Sequence, residues 1–380
     1  MSTATSPQGP NSGEDHRRLQ KPGRDPHLFR PITFRGVTVK NRIMLSPLCE
    51  YSAIDGMPND WHLVHLGARA TGGAGIVCTE ATHVSAEGRI TAKCLGLWNE
   101  AQRDGLARIV AFIESQGAVP AVQLAHAGRK ASIHVPWQGS GPHAIADGGW
   151  EVIGPSALAF APGHHVPRAM SHEDIARVTA EFVHSTKLAR EAGFKIIDLH
   201  AAHGYLLHEF LSPLSNQRND GYGGDLAGRA RFLLEVVAAV RTEWPAELPL
   251  FVRLSCTDWV EGGLTMADAV EISRMLAATG QVDLMDCSTG GNDPRQKITP
   301  GPGYQVRFAE TIRREAAIAT GAVGMINTPD LAEEILANGR ADLILMGRKL
   351  MAEPSWPLLA ARALRSDQAW PVQYERAMLS

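Results

Sequence analysis

Short apolar segments alternate with longer amphipathic segments along most of the chain. Eight apolar segments are typical of buried β-strands and cover residues 43–45, 75–79, 119–123, 196–199, 250–254, 282–286, 317–320 and 343–346. Amphipathic segments predict helices at residues 100–115, 172–191, 230–244, 266–279, 306–315, 329–338 and 356–364. Because strands and helices alternate, the pattern predicts an α/β fold with a parallel sheet, and eight strands favour a closed (β/α)8 TIM barrel.

Residues at the predicted helix ends support this fold. Ser171, which two acidic residues follow closely, can cap the helix at 172–191, and Gly193 is suited to its carboxyl end. Thr328 before Pro329 is a second helix start of the same kind. The alternative is an open doubly wound sheet, but its first strand–helix unit would need the G-x-G-x-x-G sequence that binds dinucleotides, and this chain lacks it there.

Several segments lie outside the regular alternation. Residues 32–39 predict a small hairpin that plugs the barrel floor. Residues 131–168 form an excursion after strand 3, rich in Gly, Pro, His and Trp, and predict either a lid or binding loop or an unrelated surface hairpin. Residues 1–26 predict a flexible tail, since they are rich in Ser, Pro, Gly and charge. We therefore expect the barrel at 27–365 and a C-terminal tail at 366–380.

Composition narrows the class of protein. The 380 residues are 44% hydrophobic and 20% charged, and no apolar run approaches the roughly 18 residues of a membrane span. A net charge of -3 without a basic cluster argues against a nucleic-acid partner. Five widely spaced cysteines argue against a secreted disulfide framework, and the N-terminus lacks the apolar core of a signal peptide. We therefore expect a cytoplasmic protein with no membrane partner.

The last two strands are followed by candidate phosphate ligands. In a TIM barrel the active site lies at the carboxyl ends of the strands. Gly324 follows the seventh strand, and Gly347 and Arg348 follow the eighth. Backbone N–H groups and an Arg side chain at this position are typical of a phosphate site, although glycines also occur at strand ends for steric reasons alone. The residues leave both interpretations open.

Two histidines and a tyrosine follow the fourth strand. His200 and His203 are three residues apart, so a helical turn would place both imidazoles on one side. A metal site would need a third ligand, and we expect Asp198 to point to the other side of its strand. The pair is therefore interpreted as hydrogen-bond donors to a substrate oxygen. Tyr205, with an ordinary pKa of about 10, would be a neutral proton donor beside them.

Cys49, after the first strand, has three possible roles. It could be a nucleophile, a thiol that tunes a cofactor, or a core residue. A nucleophile would need an activating base. A redox disulfide or an iron–sulfur cluster would need further cysteines close in sequence, and there are none.

These residues belong to longer motifs that identify a family. A close resemblance to the Old Yellow Enzyme family of FMN-dependent ene-reductases, particularly its bacterial thermophilic-like branch, is carried by the segments SPLCEYS, QLAHAGRKAS, DLHAAHGYLLHEFLSPLSNQRNDGYGGDLAGRARF, VRLS, TGAVGMI and LILMGR. The likeness extends from Leu28 to the C-terminus. It implies a barrel that binds FMN, takes hydride from NADPH or NADH, and reduces the C=C bond of a small enone by a ping-pong mechanism.

The resemblance also implies a set of cofactor-binding residues. The residues expected to bind FMN are Ser46, Pro47, Leu48, Cys49, Ala81, Gln123, Arg253, Gly324, Gly347 and Arg348. Gln123 and Arg253 would contact the pyrimidine edge, where a fixed positive charge faces the charge that appears on reduction. Cys49 would modulate the potential of the flavin and would not attack substrate.

For the substrate, the resemblance implies a second set of residues. His200 and His203 would hold the carbonyl oxygen, Tyr51 would orient the substrate, and Tyr205 would donate the proton. Glu50 departs from the family pattern, in which an apolar residue is common at that position. This departure and the long excursion leave the range of substrates open.

The C-terminal segment PVQYER, residues 371–376, resembles the tail that in this branch reaches the site of the neighbouring subunit. Arg376 would then lie beside the partner's flavin and contribute to substrate binding. A homodimer or homotetramer with exchange of C-terminal tails is therefore expected.

Other classes of protein fit the sequence less well. A flavin-free lyase or aldolase would need a Schiff-base lysine at one of the predicted strand ends, where there is none. A metal-dependent hydrolase would need carboxylate ligands beside the histidines. A non-enzymatic binding protein would leave the titratable donors of the concave site without a use.

Overall fold

The computed structural model describes residues 25–379, so most of the predicted N-terminal tail, residues 1–24, lies outside the described residues. The strands in the described range are β1 (Ile32–Phe34), β2 (Val37–Val39), β3 (Ile43–Leu45), β4 (Ile76–His83), β5 (Val119–Ala125), β6 (Ile153–Gly154), β7 (Arg168–Ala169), β8 (Ile196–Ala201), β9 (Leu250–Ser255), β10 (Leu284–Ser288), β11 (Ala319–Ala322) and β12 (Leu343–Met346). A closed barrel contains β3, β4, β5, β8, β9, β10, β11 and β12 in that order, and all its neighbouring strands are parallel. The predicted TIM barrel is confirmed.

Helices surround the barrel. Within residues 25–379 they are α1 (Asp60–Thr71), α2 (Glu100–Ser115), α3 (His172–Ala192), α4 (Leu206–Leu211), α5 (Leu226–Glu243), α6 (Met266–Ala278), α7 (Val306–Ala316), α8 (Pro329–Ala337), α9 (Arg348–Ala352) and α10 (Trp356–Ala363). The predicted helices are all present, whereas α1, α4 and α9 were not predicted.

The predicted helix caps are confirmed. The side chain of Ser171 accepts a hydrogen bond from the backbone N–H of Asp174, whose carboxylate accepts one from the Ser171 N–H in return. Gly193 ends α3 with a φ of 94°, a left-handed conformation that favours glycine. Thr328 caps α8 by accepting from the Leu331 N–H.

An apolar layer fills the lower part of the barrel. It contains a buried side chain from each of several strands, including Met44, Ile76, Phe251 and Leu284. The hairpin of β1 and β2 adds Phe34, whose ring packs edge-on against Phe251 with the centroids 5.1 Å apart. The hairpin therefore closes the floor of the barrel as predicted.

The excursion after β5 contains the short parallel pair β6 and β7 and a 3₁₀ turn at Pro136–Gln138. Its Trp137 is exposed and lies edge-on to Tyr51, with the ring centroids 6.1 Å apart.

All five cysteines are unpaired, as expected from their spacing. In the described part of the chain no helix combines the length and apolar character needed to cross a membrane.

Candidate active site

A cavity of about 700 Å³ opens at the carboxyl ends of the barrel strands. All but one of the residues predicted to contact FMN or substrate line it. Those residues are Ser46, Pro47, Leu48, Cys49, Tyr51, Ala81, Gln123, His200, His203, Tyr205, Arg253, Gly324, Gly347 and Arg348. The exception is Arg376, which is exposed in a 3₁₀ turn at Val372–Leu379 and does not line the cavity of its own chain.

Further cavity residues were missed by the sequence analysis. They are Tyr304, Gln305, Val323, Met325, Ile326, Asn327, Leu345, Met346, Lys349, Ala352 and Glu353. Residues 325–327 and Lys349 directly follow predicted ligands, so their position after a strand end was a usable signal. Tyr304 and Gln305 come from the loop before α7, for which the strand pattern offered no signal.

Four buried polar side chains from adjacent strands are grouped inside the barrel. Nε2 of Gln123 donates a hydrogen bond of 2.7 Å to Oδ2 of Asp198. Nε of Arg253 lies 3.3 Å from Oδ2 of Asp286. Burial, and then the charge of Asp286, raises the pKa of Asp198, while burial raises the pKa of Asp286. The prediction that Asp198 points away from the site face is wrong, because residues 198 and 200 are two apart and share one face of the strand.

The polar groups of Arg253 and Gln123 that form no hydrogen bond within this cluster fit the pyrimidine edge of FMN. Arg253 is buried, yet it donates no hydrogen bond to any other residue in the range 25–379. Because the Gln123 amide directs its N–H toward Asp198, its Oε1 remains as an acceptor at the cavity. A ring edge that offers carbonyl oxygens and an N–H would satisfy both side chains, and burial of an unpaired donor is otherwise costly.

A second set of unpaired donors follows β11 and β12. The backbone N–H groups of Gly324, Met325, Gly347 and Arg348 donate no hydrogen bond to another described residue. Gly324 has a φ of 123°, and a Cβ there would lie 3.1 Å from the side chain of Gln305. Converging backbone donors with an Arg beside them suit a phosphate group. These residues therefore fit the phosphate of FMN.

The two imidazoles of the HAAH segment adjoin each other at the cavity. Nε2 of His200 lies 3.4 Å from Nδ1 of His203, and Nδ1 of His200 accepts a hydrogen bond from the Ala202 N–H. His203 has a φ of 60°, and its backbone N–H donates to Oγ of Ser255. Burial, and then the charge of Arg253, lowers the pKa of both imidazoles. Both rings are therefore neutral hydrogen-bonding groups at pH 7.

Tyr205 lies beside this pair. Its ring is nearly perpendicular to that of His200, with the centroids 5.0 Å apart. Burial, and then the nearby Cys49, raises the pKa of Tyr205, so the phenol keeps its proton at neutral pH. Nζ of Lys130 lies 5.0 Å from the centroid of the Tyr205 ring and donates to the His203 carbonyl at 2.8 Å. Lys130, for which the sequence predicted no role, therefore anchors the turn that carries His203 and Tyr205.

Cys49 and Tyr51 form another part of the cavity wall. Burial raises the pKa of the Cys49 thiol, which is therefore protonated and poorly suited to nucleophilic attack. This argues against the nucleophilic role. Contact between Tyr51 and Trp137 brings the excursion to this wall and favours its interpretation as a binding loop.

One group of side chains elsewhere has the spacing of a metal site. Ligand atoms of Glu87, His126 and Glu181 lie within 4.8 Å of one another. However, Nη1 of Arg177 lies 2.6 Å from a carboxylate oxygen of each glutamate and already occupies the position of a cation between them. Nδ1 of His126 accepts from the Gly128 N–H, which leaves the ring proton on the nitrogen that faces Glu87. These contacts describe an ion-pair network.

Comparison with known proteins gives a consistent result. The sequence matches the NADH:flavin oxidoreductase / NADH oxidase family over residues 27–367. It is 47% identical over 351 residues to an NADPH dehydrogenase of Geobacillus sp. (strain WCH70), and the match covers 92% of this chain and 98% of the relative. Morphinone reductase has a similar structure, with a TM-score of 0.75 at 25% identity, covering 89% of this chain and 90% of that one. An old yellow enzyme homologue from Zymomonas mobilis gives a TM-score of 0.74 at 26% identity, covering 89% and 93%.

Proposed function

The chain belongs to the NADH:flavin oxidoreductase / NADH oxidase family, the Old Yellow Enzyme family that its motifs predicted, and we propose that this FMN-dependent NAD(P)H oxidoreductase reduces the activated C=C bond of α,β-unsaturated carbonyl compounds. The observation that carries the proposal is a single cavity that combines unpaired donors suited to FMN with a neutral His–His–Tyr set.

The residues of this chain would hold FMN at three places. Gln123 and Arg253 would bind the pyrimidine edge, residues 46–49 and Ala81 would support the ring, and the glycine turns with Arg348 would bind the phosphate. Bound FMN supplies two-electron chemistry, since its ring can accept a hydride from NAD(P)H and deliver one to an acceptor. We expect the nicotinamide to leave before the acceptor enters, because both would occupy the same part of the cavity.

The histidine pair would bind the carbonyl oxygen of the enone. When hydride reaches Cβ, the electron pair of the C=C bond moves toward the carbonyl, and negative charge grows on the oxygen. Neutral imidazole N–H groups of His200 and His203 can donate to that charge without first losing a hydration shell. A preorganised donor of this kind contributes about 2.7 to 4 kcal/mol to transition-state stabilisation.

Tyr205 would complete the reaction by giving its proton to Cα. A protonated phenol at neutral pH is required for this role, and the raised pKa of Tyr205 supports it. The cavity opens to solvent, which would return a proton to the phenolate afterwards. Tyr51, on the same wall as Cys49, would orient the substrate.

Two further proposals concern assembly and location. We propose that residues 366–380 form a tail whose Arg376 serves the neighbouring subunit, which the exposure of Arg376 in its own chain supports. The substrate site would then be completed by a partner. The five unpaired thiols support a cytoplasmic location.

Anaerobic spectroscopy tests the proposed reaction. We expect NADPH to bleach the visible band of the FMN-bound protein, and 2-cyclohexenone to restore it with one cyclohexanone formed for each NADPH consumed. If oxygen restores the band but a panel of enones does not, the protein is an NADPH oxidase without ene-reductase activity.

A further inference from the structure

Two serines from neighbouring strands hold His203. Oγ of Ser255, at the end of β9, accepts the backbone N–H of His203 and donates to the Gly290 carbonyl, so it fixes the turn. Oγ of Ser288, the last residue of β10, lies 2.7 Å from Nε2 of the His203 ring. The Ser288 side chain is buried, and its hydroxyl has no other hydrogen-bond partner in the described residues. Ser288 therefore contacts the imidazole itself and is free to donate or to accept.

The tautomer of His200 is set by its surroundings. The Ala202 N–H donates to Nδ1 of His200, so the ring proton of the neutral imidazole is on Nε2. That Nε2–H faces Nδ1 of His203 at 3.4 Å. His200 is thus a fixed donor, and what it donates to depends on the tautomer of His203.

His203 has two neutral tautomers with different consequences. With the proton on Nε2, His203 donates to Ser288 and accepts from Nε2–H of His200. The only N–H that the pair can then direct to the cavity is that of His200, which already donates to His203. In the other tautomer Nε2 has released its proton to water and Nδ1 has taken one from water in the open cavity, so the imidazole stays neutral. The Ser288 hydroxyl must then turn and donate to Nε2. The N–H groups of His200 and His203 then converge, and an oxygen placed between them can accept both hydrogen bonds.

We propose that Ser288 is a positioning residue that lets His203 change tautomer, so that the histidine pair becomes a two-donor site when an anionic oxygen binds. The inference rests on the proposed function, in which this pair holds the substrate oxygen. A hydroxyl suits this role because it can reverse its hydrogen bond without moving its oxygen. Protonation of His203 would also supply two donors, but burial and the charges of Arg253 and Lys130 oppose it.

A phenolate is a suitable probe, because its oxygen carries the charge that the enone oxygen would acquire. We would titrate the FMN-bound protein with 4-cyanophenol at pH 8 by calorimetry, in the wild type and in the variants Ser288→Ala, Ser288→Thr and Ser273→Ala. Ser273 is a matched control, since its buried hydroxyl donates to the Ala269 carbonyl within α6 and makes no contact with the site.

We expect Ser288→Ala to weaken phenolate binding by about 10- to 100-fold, because the phenolate oxygen would lose its hydrogen bond from His203. A lost hydrogen bond to a charged group typically has an effect of this size. Ser288→Thr, which keeps the hydroxyl, should restore most of the affinity, and Ser273→Ala should match the wild type. The FMN affinity of each variant would show that the fold is intact. Equal phenolate affinities for the wild type and Ser288→Ala would overturn the inference.

Nitrogen-15 NMR of histidine-labelled wild-type protein gives an independent test that needs no variant at Ser288. We expect the proton of His203 to move from Nε2 to Nδ1 when 4-cyanophenol binds, with the resonance assigned by its loss in His203→Gln. The same tautomer with and without ligand would contradict the inference. If neither Ser288→Ala nor His200→Ala changes the phenolate affinity, the proposed function fails as well. If His200→Ala weakens phenolate binding and Ser288→Ala does not, only the role of Ser288 is contradicted.

Discussion

Replacement of His200 by alanine should separate the two half-reactions of the enzyme. Nε2–H of His200 is a neutral donor fixed by the Ala202 N–H, and the side chain is buried, so water cannot readily take its place. Loss of one such donor costs about 2.7 to 4 kcal/mol, which corresponds to a rate about 10²- to 10³-fold lower for enone reduction. Oxidation of NADPH develops no negative oxygen near the pair, so its rate should change by only a few-fold.

Anaerobic stopped-flow measures the two steps separately. The first step is the loss of the visible FMN band with NADPH, and the second is its return with 2-cyclohexenone. His184→Ala is the matched control, because it removes an imidazole from the exposed face of α3 and should leave both rates unchanged. Losses of equal size in both steps of His200→Ala would refute the assignment of the histidine pair to the substrate oxygen.

Four other predictions concern residues with different roles. Tyr205→Phe should slow enone reduction by about 10²- to 10⁴-fold and have little effect on the rate of NADPH oxidation, as measured in the same stopped-flow experiment. Gly324→Val, at a φ of 123°, should weaken FMN binding by about 1 to 3 kcal/mol in a fluorescence titration. Arg376→Ala should lower enone turnover without loss of FMN, and a fully active monomer in light scattering would contradict the tail proposal. Burial and Asp286 raise the pKa of Asp198, so the folded protein keeps a proton that the unfolded chain releases above about pH 4. Stability should therefore fall as the pH rises from about 4 toward 8, and Asp198→Asn should flatten that part of the Tm profile.

The barrel could be predicted from the sequence because each strand contains an apolar run, but several strands continue further than those runs. The run at 75–79 ends at Thr79, whereas β4 continues to His83. Likewise, β10 extends to Ser288, two residues beyond its predicted end. The carboxyl ends of barrel strands face a polar cavity, so apolar pattern alone stops short of the residues that line it.

The missed helices have a different cause. In α1 the buried face includes His62 and His65, which pair with Glu80 at 3.2 Å and Glu50 at 3.5 Å, so the apolar stripe that marks a helix is interrupted by polar residues. Helices α4 and α9 have six and five residues, too few to establish a helical period. The pairing of His65 also gives a reason for Glu50 to depart from the family pattern.

The electrostatics of the site could not be predicted, because they depend on contacts between residues far apart in sequence. Sequence motifs identify Arg253 as a fixed positive charge at the pyrimidine edge, which would favour an anionic ring there. The structure adds Asp286 at 3.3 Å from Arg253 and Asp198 nearby. Were both carboxylates ionised, the cluster would be net negative and would oppose that charge. Their raised pKa values indicate that the pair retains one proton, so Arg253 and the remaining carboxylate leave the cluster neutral and not net negative. The effect of Arg253 on bound FMN therefore depends on the protonation of two aspartates, and the pH dependence of the flavin reduction potential should differ between the wild type and Asp198→Asn.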